Sequence, residues 1–74
     1  MFTITFNFSG KETKEYQHIT KVKYFNVVSD TEVVGDDIFT HDFPLSADMQ
    51  LFSENKTYKI SSNGLKSIEV EKEL

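Results

Sequence analysis

The segment Tyr58-Lys59-Ile60-Ser61-Ser62-Asn63-Gly64-Leu65-Lys66-Ser67-Ile68-Glu69-Val70 decides the first reading of the fold. Tyr58 and Ile60 alternate with Lys59 and Ser61. Beyond Asn63-Gly64, Ile68 and Val70 alternate with Ser67, Glu69 and Glu71. A period of two marks strands with one dry and one wet face. Asn followed by Gly tolerates the two positive φ angles of a type I′ turn. The segment therefore predicts a C-terminal Asn-Gly β-hairpin. A lone hairpin is marginal in water, so the rest of the chain must complete a sheet around it.

Working outward, Phe2, Ile4, Phe6 and Phe8 alternate with Thr3, Thr5 and Asn7, which predicts a strand with a strongly apolar face. Ser9-Gly10-Lys11 reads as a turn with Gly10 at positive φ. Glu12–Val28 reads as extended. Tyr16 and His18 share one parity, and Val22 and Tyr24 form a second run with Lys21 and Lys23 outward. The parity slips near Phe25, which suggests a bulge or bend; the alternative is two strands joined near Thr20. Ser29-Asp30 begins a turn, and Glu32–Val34 reads as a short edge strand ended by Gly35. Ile38–Phe43 reads as extended, with Phe39, His41 and Phe43 on one face and Pro44 as a stop. Ser46–Met49 is open to a single helical turn capped by Ser46. Gln50–Phe52 reads as a short strand, Ser53–Lys56 as a turn, and Glu71–Leu74 as a fraying end.

The expected architecture is all-β: residues 1–74 as one domain, a single small antiparallel sheet of five or six strands. It would be curled as a barrel or a rolled sandwich, since closure removes exposed edges. Phe2, Phe6, Phe8, Tyr24, Phe39, Phe43, Phe52 and Tyr58, with Ile4, Ile60, Ile68 and Val70, suffice for its core. Phe25, Val27, Val33 and Val34 do not fit the inward parity. Exposed, they would form a contact patch or an edge open to strand addition and to a homodimer.

The 74 residues include no Cys, which excludes disulfides, thiolate metal sites and thiol nucleophiles. Their absence in so small a domain favours a cytoplasmic location. The amino terminus has no basic n-region, so no secretory signal is expected. No run approaches the roughly 18 apolar residues of a membrane span. The three Gly form no phosphate-cradling loop, and no nucleophile elbow is present. These features predict a non-enzymatic chain without a cofactor. His18 and His41 stand apart without ligand spacing, and read as ordinary surface or rim histidines rather than metal ligands.

Charge is the most uneven feature. Residues 29–50 hold Asp30, Glu32, Asp36, Asp37, Asp42 and Asp48 and no Lys. The first 28 residues carry four Lys against two Glu, and the last 24 carry four of each. The plain reading of the acidic run is a set of solvated loops. The functional reading is a surface that docks a basic protein partner, since complementary fields speed association and set register. The partner-binding candidates are Asp30, Glu32, Val33, Val34, Asp36, Asp37, Phe39, Asp42, Phe43 and Asp48. Calcium is a weaker alternative, because the EF-hand spacing of ligands around a central Gly is missing. A rival class is a nucleic-acid binder using Lys11, Lys14, Lys21 and Lys23 near Tyr16 and Phe25. The net charge of −4 and the lack of Arg disfavour it. A third class is an assembly protein that self-associates through a sheet edge.

The run Phe52–Ser62, followed by Leu65 and Ser67–Glu71, resembles the carboxyl-terminal hairpin of short uncharacterised all-β proteins encoded by phages and mobile elements of low-GC Gram-positive bacteria. The opening strand, a Gly-Lys-Glu turn and a Val-x-Tyr strand fit the same picture. The resemblance implies a small accessory or host-modulating binder and carries no catalytic residue across.

Overall fold

The computed structural model describes residues 1–74. Seven strands and one helical turn follow each other: β1 (Phe2–Phe8), β2 (Thr13–Ile19), β3 (Lys21–Phe25), β4 (Asp30–Val34), α1 (Asp37–Thr40), β5 (Met49–Phe52), β6 (Thr57–Ile60) and β7 (Leu65–Lys72). They form two antiparallel sheets, β2-β1-β7 and β4-β3-β5-β6. The all-β class stands; the single sheet and the closed barrel do not.

The first strand forms as its alternation demands. Phe2, Ile4 and Phe6 are buried, and β1 takes the centre of its sheet, with Ile4 flanked by Tyr16 on β2 and Val70 on β7. The Ser9–Lys11 turn follows, with Gly10 at φ 78°. The chain then changes sheets. Phe2 pairs with Ile19 and Ile4 with Tyr16, so β2 carries an extra residue in a bulge that contains His18 at φ 62°. A bulge bends its strand and increases local twist. Thr20 is the one residue between β2 and β3, and its N–H donates to the Phe52 carbonyl at 2.8 Å. The parity slip thus falls at residues 17–20 rather than near Phe25, and the alternative reading holds: two strands joined at Thr20, here in different sheets. Splitting a bent strand between sheets is what replaces barrel closure here.

Both sheets turn their inner faces to one core: Phe2, Ile4, Phe6, Ile19, Val22, Tyr24, Val33, Ile38, Met49, Leu51 and Ile60, with no buried polar or charged residue among them. Where the sheets diverge, side chains seal the gap. Tyr16 of β2 meets Tyr58 of β6 with ring centroids 4.7 Å apart. On the other side, α1 touches both β4 and β7 and inserts Ile38.

Three further expectations are corrected. The predicted hairpin is not one, because β6 pairs with β5 and β7 pairs with β1. Asn63-Gly64 does turn the chain, closed by Leu65 N–H on the Ser62 carbonyl at 3.0 Å, but only Gly64 has positive φ, 78°. A type I′ turn needs both. The turn's polar groups are also engaged elsewhere: Ser62 N–H on Asp48 Oδ1 at 2.8 Å, and the Gly64 carbonyl accepting from Ser9 N–H at 2.8 Å. The connection therefore crosses from one sheet to the other.

The second correction concerns Ile38–Phe43. Gly35 at φ 61° ends β4, and residues 37–40 form a helical turn, with His41 N–H donating to the Asp37 carbonyl at 2.9 Å. Asp37 in the first turn suits the helix dipole. Helical spacing sends Ile38 inward and leaves Phe39 46% exposed, the reverse of the strand reading. The helical turn considered at Ser46–Met49 is absent, and Met49 instead opens β5.

The third is the C-terminus, which does not fray at Glu71. β7 runs to Lys72, and Glu73 Oε2 accepts His18 N–H at 2.6 Å and the Thr3 hydroxyl at 2.9 Å, while His18 Nδ1 donates to Oε1 at 2.8 Å. These bonds, the His18 backbone bond first, hold the Glu73 carboxyl down to about 2 from the usual 4.5. An ionised carboxylate here fastens the bulge across β1.

Candidate partner-binding surface

The predicted surface residues divide by structural role. Asp30, Glu32 and Val34 face outward on β4, opposite Phe25, Lys23 and Lys21 of β3. Lys23 Nζ lies 3.9 Å from Asp30 and Lys21 Nζ 3.7 Å from Glu32. Such exposed pairs contribute little, yet they damp the local field. Asp36, Asp37 and Asp42 are exposed and have no ion-pair partner. Phe39 is partly covered by a stack on Phe2, centroids 6.3 Å apart, and by Lys72 Nζ 4.7 Å from its ring.

Three of the ten are held by contacts within the fold. Val33 is 4% exposed and faces the core, because β4 alternates like any half-buried strand. Phe43 is half-buried, packed edge-on against Tyr24 and His41. Asp48 is exposed, but its carboxylate accepts both the N–H and the hydroxyl of Ser62, at 2.8 and 2.9 Å. Those bonds, the backbone one first, lower its pKa and tie the sheet-crossing turn to the start of β5.

Three of the carboxylates, Glu32, Asp37 and Asp42, border a depression of about 450 Å³ between β4 and the residues after it, lined also by Thr31, Val33, Thr40 and His41. His41 shares a 2.8 Å hydrogen bond between its Nε2 and the Tyr24 hydroxyl, which fixes the ring against β3. The sequence reading did not include Thr31 of β4, Thr40 or His41; the helical turn brings the last two beside β4. No three carboxylate or imidazole groups converge as a metal site would require.

A second acidic surface was hidden in the sequence. On the outer face of β2-β1-β7, Glu15 and Glu69 flank Thr5, and Glu71 lies beside Thr3. Lys14 and Lys72 have the opposite parity, paired with Phe6 and Phe2. The last 24 residues are neutral by count but not in space, since period-two alternation sorts Glu from Lys. The Lys11–Lys23 face, in contrast, is divided. Lys14 lies on β2 in one sheet, while Lys21 and Lys23 lie on β3 in the other, each beside a carboxylate.

Phe25, Val27 and Val28 are 65%, 93% and 88% exposed at the β3–β4 connection, and Val34 is 52% exposed. Asn26 closes that tip, donating its N–H to the Ser29 carbonyl at 2.8 Å and accepting Val27 N–H at 2.8 Å. No helix of the structure is long and apolar enough to cross a membrane. Comparison with known proteins finds no matching family, no matching curated protein and no matching solved structure. The fold defines the class, a small two-sheet all-β protein.

Proposed function

We propose that this chain is a non-enzymatic protein–protein interaction module of the cytoplasm that docks a basic partner through the surface built by residues 30–48. The carrying observation is the depression beside β4, where Glu32, Asp37 and Asp42 gather and only Glu32 has a Lys, Lys21 of β3, within ion-pair range. Opposed potentials of this kind steer association and fix orientation. The exposed Phe25, Val27, Val28 and Val34 at the margin supply the apolar contact that charge alone does not. The resemblance to short phage and mobile-element proteins supports the role of an accessory or host-modulating binder.

The test is capture from source-cell lysate on the immobilised chain, eluted with a salt gradient. Asp36→Lys with Asp37→Lys should lose the captured partner while retaining the wild-type circular dichroism spectrum. Glu69→Lys with Glu71→Lys, the same charge change on the other sheet, should retain it. Unchanged capture by the first variant removes the 30–48 surface from the reading.

A further inference from the structure

β4 ends the four-stranded sheet and is hydrogen-bonded to β3 on one side only. A strand paired on one side leaves alternate N–H and C=O groups directed outward without a backbone partner. The acidic depression lies along this edge. Thr31 and Val33, which pair with Tyr24 and Val22 on the core side, line it together with the outward Glu32. Side chains of both parities border it, so it follows the backbone edge rather than one face of the sheet. Its far wall carries Asp37, Thr40 and Asp42.

We propose that β4 accepts an extended, Lys- or Arg-bearing segment of a partner protein as a fifth strand of this sheet. The proposal rests on the acidic docking reading and names the form the partner takes. Main-chain bonds to an open edge give affinity, and alternate side chains give specificity. Cations on one face of the added strand would lie beside Asp30 and Glu32, with Asp37 and Asp42 across the depression. A second copy of β4 fits the edge poorly. Antiparallel pairing centred on Glu32 sets that residue against its own copy, and like charges directly opposite destabilise a sheet.

The test uses the whole chain and two capped synthetic peptides of about seven residues, long enough to span a strand of ordinary length. Both alternate Lys with Val; one is N-methylated at every second residue along one edge, which removes its donors to β4. Fluorescence anisotropy at low salt reads affinity, and backbone amide shifts read location. The unmodified peptide should bind with shifts centred on Asp30–Val34, and the methylated one should bind at least about tenfold more weakly, or about 1.4 kcal/mol. Glu32→Lys should weaken the unmodified peptide. Equal binding of the two peptides overturns strand addition and leaves acidic docking in place. Binding of neither also overturns it, and the acidic reading then stands or falls on the charge-reversal capture. Concentration-dependent shifts at β4 without peptide assign the edge to a second copy and overturn the choice of occupant.

Discussion

Ile38 and Phe39 are adjacent, and the strand and helical readings of their segment assign them opposite fates. In the structure Ile38 is fully buried, the one core residue contributed by α1, while Phe39 is 46% exposed. Ile38→Ala removes three carbons, about 2.4 kcal/mol at about 0.8 kcal/mol per buried methylene. The residual cavity between β4 and β7 raises the loss to about 3–4 kcal/mol. Total stability for a chain this long is about 4–11 kcal/mol, so the variant is marginal. With a urea slope of about 1 kcal/mol per molar, the midpoint should fall by roughly 3 M. Phe39→Ala gives up a stack and a cation–π contact at a half-open site, about 1 kcal/mol. Urea titration followed by circular dichroism measures both. If Phe39→Ala proves the costlier substitution, Phe39 faces inward on a strand and the helical turn is wrong, along with the depression it walls.

Three other outcomes follow from the same geometry. Gly64→Ala should destabilise by about 1–2 kcal/mol, since it forces an L side chain to φ 78° and sets its Cβ 2.9 Å from Ser9 Oγ. Ser9→Ala in that background should recover part of the loss in thermal melts. Backbone NOEs should connect Tyr58 with Leu51 and Ile68 with Phe6, and none should run between β6 and β7. Glu73 has a lowered folded pKa, so its contribution is full above its ordinary 4.5 and is lost as pH falls towards about 2. Glu73→Gln should therefore be less stable than wild type near neutral pH, with the difference shrinking across that window. A constant difference would show that the carboxylate charge is not what holds the bulge.

Much of the fold was legible because alternation is a local property. β1, the edge position of β4, the Gly10 turn and the outward Lys21 and Lys23 all appear where the pattern puts them. Ile38–Phe43 was misread because apolar residues two apart also fit an irregular loop. The better signal was Asp36-Asp37 after Gly35, an acidic helix start following a strand end. The candidate surface was half legible: a run of acids without Lys can be counted, but alternation on β4 buried Val33, and a distant Ser62 took Asp48.

The sequence by itself determined an all-β chain, the faces of β1 and β3 and the acidity of residues 29–50, because each depends on neighbours within a few positions. Which strands pair was left to the tertiary structure. Asn63-Gly64 permits a hairpin, yet Asp48, Ser9 and the two strand partners β1 and β5 draw its arms into different sheets. The long second strand likewise divides at Thr20 because its two halves bury their apolar faces in opposite walls of one core. Pairing is settled by long-range burial and hydrogen bonding, whose free energies exceed the preference of a two-residue turn.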